Sequence, residues 1–93
     1  MGEISKATDE WWTGTHIDFV KAGDTGKTEM WDIQTNDGEA TKLGTIKWYA
    51  PWRRYVLIPR PDTIFEFDEC LPEILQFGKM LMEQYKLEKK GEG

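Results

Sequence analysis

The stretch Leu43-Gly44-Thr45-Ile46-Lys47-Trp48-Tyr49-Ala50-Pro51-Trp52-Arg53-Arg54-Tyr55-Val56-Leu57-Ile58 decides the fold. It reads as two extended runs around a turn. Pro51 suits position i+1 of a type I turn, because its ring presets φ. A two-residue Pro51-Trp52 loop places Ala50 opposite Arg53, Trp48 opposite Tyr55 and Ile46 opposite Leu57. Side chains alternate with period two along a strand. Gly44, Ile46, Trp48, Tyr55 and Leu57 therefore share one apolar face, the expected core side. Thr45, Lys47, Tyr49, Arg54, Val56 and Ile58 share the other, which is basic, aromatic and aliphatic together. A loop longer by one residue would shift the register and exchange the two faces.

Upstream of this hairpin the same grammar continues. His16–Lys21 alternates weakly, Asp24-Thr25-Gly26-Lys27 is a turn, and Glu29–Thr35 is a strand with Trp31 and Ile33 on one face. Asn36-Asp37-Gly38 is a hairpin signal, because these residues tolerate the positive φ that tight turns demand. Downstream, the Pro59-Arg60-Pro61-Asp62 segment ends the sheet, since proline donates nothing to a ladder. Thr63–Phe67 is a short extended segment.

From Asp68 the period becomes helical. Asp68 is the expected N-cap, and Glu69 suits the positive end of the helix dipole. Pro72 is tolerated in the first turn, where amide donors lack intrahelical partners. Leu71, Ile74, Leu75, Gly78, Leu81, Met82 and Tyr85 form the apolar stripe, flanked by Cys70 and Phe77. Glu73, Gln76, Lys79, Glu83 and Lys86 lie mainly opposite. Gly78 within the stripe is expected to admit a bulky neighbour such as a tryptophan.

These elements predict an α+β domain: a small antiparallel meander of 3–5 strands packed against one C-terminal amphipathic helix. Residues 1–13 read as a loosely ordered arm, 14–89 as the single domain and 90–93 as a frayed tail. A chain of 93 residues buries a limited core. Five tryptophans, with Trp31 and Trp48 read as core, supply much apolar area per residue.

Composition removes whole classes of function. Hydrophobic residues are 39% and charged residues 31%, which suits a folded chain rather than a disordered one. No apolar run approaches the roughly 18 residues of a membrane span. The N-terminus lacks an apolar signal core, so a cytoplasmic location is expected. One cysteine permits no internal disulfide or Cys-rich zinc site, and one histidine and one serine leave few hydrolase constellations.

The net charge of −5 is unevenly spread. Residues 1–39 carry nine acids and three bases, and residues 61–93 carry eight acids and four bases. Between them, residues 40–60 hold Lys42, Lys47, Arg53, Arg54 and Arg60 with no acid. The same segment holds Trp48, Tyr49, Trp52 and Tyr55. A solvated basic hairpin face is the plain explanation. The alternative is a binding surface, because arginine meets carboxylates or phosphates and aromatic faces stack.

Other constellations are weaker. Gly26-Lys27-Thr28 resembles the end of a phosphate loop, but Lys21 stands where that motif needs glycine and a strand follows where it needs a helix. Cys70 with His16 would require both side chains within hydrogen-bond reach. Asp62, Glu66, Asp68 and Glu69 are acidic without the spacing of a cation loop. Trp11-Trp12 is either a partner anchor or a lid on the domain's own core.

The run from Leu43 to Tyr55, with Pro59, Thr63, Phe65, Cys70-Leu71, Ile74 and Phe77, resembles an uncharacterised family of short proteins encoded by phages and prophages. The shared pattern is G-x-I-K-W-Y-x-P-W-R-x-Y, a proline-containing turn, T-x-F and C-L-x-x-I-x-x-F. It covers residues 43–77, over a third of the chain. The resemblance implies a phage accessory protein acting in the bacterial cytoplasm, and it carries no known chemistry. Trp48, Tyr49, Trp52, Arg53 and Tyr55 are the matching hairpin residues.

The expectation is a non-enzymatic binding or accessory protein, such as an inhibitor of a host protein, using hairpin 47–58. Lys47, Tyr49, Trp52, Arg53 and Arg54 are its candidate contacts, with no cofactor and no metal. The partner is a host or phage protein, and the protein itself a monomer or homodimer. Single-stranded nucleic acid or a small nucleotide is the alternative ligand on the same face, disfavoured by the acidic net charge. If Trp48, Trp52 and Tyr55 instead merely fill the core, Trp52→Ala should unfold the protein.

Overall fold

The computed structural model describes residues 4–65, 67–68 and 70–91, with residues 88–91 described by their backbone alone. Among the described residues six strands precede one helix: β1 (Ser5–Thr8), β2 (Trp11–Thr13), β3 (Ile17–Asp24), β4 (Glu29–Thr35), β5 (Lys42–Tyr49), β6 (Arg54–Pro59) and α1 (Cys70–Gly91). The strands form one antiparallel meander in the order β1-β2-β3-β4-β5-β6. The α+β class and the meander agree with the sequence reading; the strand count exceeds it.

The additional strands come from the expected arm. β1 and β2 are four and three residues long, too short to show alternation. Trp12 holds this segment to the core by meeting Phe77 edge-on, with ring centroids 6.1 Å apart. On the opposite face, Asp18 accepts from Trp11 Nε1 at 3.0 Å and from the Thr13 hydroxyl at 2.7 Å. The Trp11-Trp12 pair is thus divided between the two faces. Residues 1–3 of the expected arm lie outside the described residues.

The core lies between the sheet and α1. Phe77 is fully buried at its centre, stacked on Phe19 at 4.3 Å and edge-on to Trp31 at 4.9 Å. Ile17, Ile33, Ile46, Ile74 and Leu81 close around these rings. Burying each such side chain contributes about 1.5–3 kcal/mol before the entropy of ordering it. Trp48 is half-buried and stacks on Tyr85 at 4.4 Å.

The helix is turned relative to the expected stripe. Cys70, Glu73, Ile74, Phe77 and Leu81 are buried, whereas Leu75 is exposed. Three aromatic neighbours favour Phe77 as the centre of the buried face. Gly78 is displaced to the margin, and a Cβ added there would meet nothing within 4 Å. The expected bulky neighbour is therefore not there. Glu73, assigned to the polar face, is fully buried, with Oε2 accepting the Thr15 backbone N–H at 2.9 Å.

Helix α1 begins two residues after the expected cap, Asp68, and continues through Gly91 rather than ending near Lys89. Residues 90–91 of the expected frayed tail are thus helical; residues 92–93, and the junction acids Glu66 and Glu69, lie outside the described residues.

Candidate functional site

The decisive hairpin has the expected register. Trp48 pairs with Tyr55 and Ile46 with Leu57. Gly44 is buried on the core side, where an added Cβ would lie 2.8 Å from the Ile58 carbonyl oxygen. The turn differs. Pairing ends at Tyr49 and Arg54, leaving Ala50–Arg53 as a four-residue loop rather than the expected two. The Arg53 N–H donates to the carbonyls of Tyr49 at 2.9 Å and Ala50 at 3.1 Å. Pro51 occupies position i+1 of the turn that Ala50 and Arg53 close. Because two residues are added to the loop, the faces are preserved; one would have exchanged them.

The loop sets the geometry of the tip. Trp52 is 64% exposed, and its ring meets that of Tyr49 edge-on, with centroids 5.1 Å apart and planes at 82°. Arg54 Nε donates to the Trp52 carbonyl oxygen at 3.4 Å. Lys47, Tyr49 and Arg54 point to the face away from α1, as period two requires. Arg53 is exposed at the loop end with φ 54°, in the left-handed region that favours glycine. The structure thus links Tyr49, Trp52 and Arg54 directly. It places Lys47 on their strand face and Arg53 beside them without a direct side-chain link among the described residues.

The electrostatics follow from the charge segregation. Among the described residues, Lys42 is the one cation of segment 40–60 in an ion pair, with Asp32 at 3.2 Å. Elsewhere, Lys21 bridges Asp24 at 2.8 Å. That hydrogen bond raises the Lys21 pKa above the ordinary lysine value and is the first cause lowering that of Asp24, followed by the Gly26 N–H. Lys47, Arg53 and Arg54 make no ion pair among the described residues, although Asp24 and Glu29 line a depression shared with Lys47. Met30 is exposed and lines, with Lys47 and Trp48, the same depression, of about 250 Å³, beside the tip. The sequence reading assigned Met30 no role.

The weaker constellations fare as their residues are placed. β4 begins directly after Thr28, where a phosphate loop requires a helix. Cys70 is buried in the core while His16 is exposed. Among the described residues, no group of three or more His, Cys, Asp or Glu could hold a metal ion. No described helix is long and apolar enough to cross a membrane.

A second concave feature was not anticipated. A groove of about 390 Å³ runs between β6 and α1, floored by Ile46, Leu57, Ile74 and Met82 and opened by the missing side chain of Gly78.

In comparisons with protein-family models, curated proteins and solved structures, nothing matches this chain.

Proposed function

We propose that this chain is a non-enzymatic binding protein of phage origin that engages a host or phage protein through the tip of the β5–β6 hairpin. The observation that carries the reading is the exposed Tyr49–Trp52 ring pair beside Arg53 and Arg54. Tryptophan, tyrosine and arginine are the residues over-represented where a few contacts dominate association. The acid-free segment would favour a partner with acidic side chains, and the edge-to-face pair presents a pre-ordered surface that loses little side-chain entropy on binding.

Arg53 stands at positive φ where glycine would fit with less strain; Ala40 and Asp62 share that conformation, and what Arg53 adds is a guanidinium beside the exposed rings. The proposed action is occlusion of the partner's surface, as an inhibitor or accessory factor in the bacterial cytoplasm.

Pull-down from bacterial lysate with the wild type, Arg54→Glu and Trp52→Ala tests the proposal. A partner recovered by the wild type and lost with both variants supports it. Equal recovery with all three, or no partner at all, overturns it. Salt-sensitive quenching of tryptophan fluorescence by single-stranded oligonucleotide would instead favour the nucleic-acid reading.

A further inference from the structure

The groove beside β6 combines an apolar floor with an unpaired strand edge. β6 is the last strand of the sheet and, among the described residues, has a strand neighbour on one side alone. Its even-numbered positions turn their backbone groups to β5, a pattern that the Arg60 N–H extends by donating to the Leu43 carbonyl at 3.0 Å. The odd-numbered positions turn theirs outward, as the Tyr55 N–H shows by donating to Met82 Sδ at 3.4 Å, while Pro59 offers a carbonyl alone. The Leu57 N–H and C=O therefore face away from the sheet, and among the described residues nothing meets them. Thioether sulfur is a weak acceptor, so a carbonyl oxygen can displace Met82 from Tyr55.

The geometry points to capture of an extended acidic segment of another protein, added as a seventh strand along β6 with an apolar side chain in the groove over Gly78. This proposal is independent of any role for Tyr49 or Trp52. Strand addition draws affinity from main-chain hydrogen bonds and specificity from pockets for alternate side chains. The edge supplies the hydrogen bonds at Leu57, and the groove supplies the pocket.

Charge selects the occupant. A second copy paired antiparallel about Leu57 would set Arg54 of one chain opposite Arg60 of the other, twice over. Like charges directly opposite destabilise a strand pair. Both arginines are exposed, and Lys79 and Lys86 stand on the helix side of the groove with Glu83 as its one lining acid among the described residues. Arg54 and Arg60 lie three residues either side of Leu57, on the strand face opposite Leu57 itself. A bound strand thus meets them with acids three residues either side of the residue facing Leu57. That central residue, on the groove side, is apolar. The recognised pattern is acid-x-x-apolar-x-x-acid.

The probe is a capped peptide, Asp-Thr-Val-Leu-Val-Thr-Asp, titrated into the isotope-labelled full chain and followed by amide NMR and hydrogen exchange. The expected result is slowing of Leu57 amide exchange by about tenfold or more at saturation, with the largest amide shifts at residues 55–58. The peptide with lysine in place of both acids should bind about tenfold more weakly. Gly78→Leu, whose side chain enters the groove, should weaken binding to a similar degree while the protein stays folded. Trp52→Ala should bind the peptide as the wild type does, because Arg54 is the one residue of the hairpin tip that this surface shares. Unchanged Leu57 exchange at millimolar acidic peptide, or equal binding of the lysine peptide, overturns the proposal. So does concentration-dependent self-association that protects Leu57 without peptide.

Discussion

Glu73 Oε2 accepts the Thr15 backbone N–H at 2.9 Å, joining the first turn of α1 to the β2–β3 connection across 58 residues of sequence. Glu73 is fully buried, and its Oε1 has no hydrogen-bond partner among the described residues. Removing the carboxylate would leave the Thr15 N–H unpaired and open a cavity beside Gly14. Glu73→Ala is expected to cost about 2–4 kcal/mol in urea denaturation. Glu73→Gln keeps an acceptor for Thr15 and should cost less. Equal losses for the two variants would show that the hydrogen bond is not what Glu73 contributes.

Three glycines should respond in opposite directions to the same substitution. Gly78 lies in a helix with open space around it, so Gly78→Ala should stabilise by about 0.5–1 kcal/mol through helix propensity. A Cβ at Gly44 would press on the backbone of Ile58 and Pro59, and one at Gly14 would collide with the Glu73 carboxylate. Gly44→Ala and Gly14→Ala should each destabilise by about 1–3 kcal/mol, as overpacking does. Thermal melts of the three variants separate the cases by sign.

The elements that could be read from sequence are those whose information is local. The Ile46–Leu57 and Trp48–Tyr55 pairs follow from alternation and from Pro51, and all of the reasoning lies within a dozen residues. β4 has the bounds expected of it, because Trp31 and Ile33 alternate in a run bracketed by turns. β1 and β2 escaped because their pairing depends on Trp12 finding Phe77, 65 residues away. Glu73 escaped for the same reason: helical period assigns it to the polar face, and its partner is remote. The tip residues were legible as a composition of charge and rings. The groove depends on how far α1 is turned about its axis, which three aromatic contacts at Phe77 decide.

Trp52 and Trp31 make the opposing test of core against surface. Trp31 is fully buried and donates through Nε1 to Glu29 Oε1 at 2.8 Å. Trp31→Ala should cost about 3–5 kcal/mol. Trp52 projects from the turn, and Trp52→Ala should change stability by no more than about 0.5 kcal/mol. It should also reduce the fraction of tryptophan emission quenched by acrylamide, since the more exposed of the two exposed indoles, Trp52 and Trp11, is then gone. Unfolding on Trp52→Ala would restore the reading in which the hairpin aromatics serve the core.

The turn carboxylates should make stability depend on pH at the acid end. The Asp37 pKa is lowered first by the Glu39 N–H and then by the Thr35 hydroxyl, and that of Asp24 first by Lys21. A carboxylate with a lowered folded pKa stabilises above its unfolded pKa and loses that contribution as pH falls through the folded value. The loss should therefore appear below about pH 4. Lys21 behaves in the opposite sense: its folded pKa is raised, so its contribution is complete below the unfolded value and is lost as pH rises beyond about 10.4. Asp24 and Asp37 are exposed and Lys21 is half-buried, so salt should diminish the effects. Asp24→Asn, which keeps an acceptor for the Gly26 N–H but loses the charge facing Lys21, should flatten the stability profile at both ends. Denaturation midpoints from pH 2 to 11 provide the measurement, and parallel profiles for wild type and variant would show that the Lys21–Asp24 bridge contributes nothing.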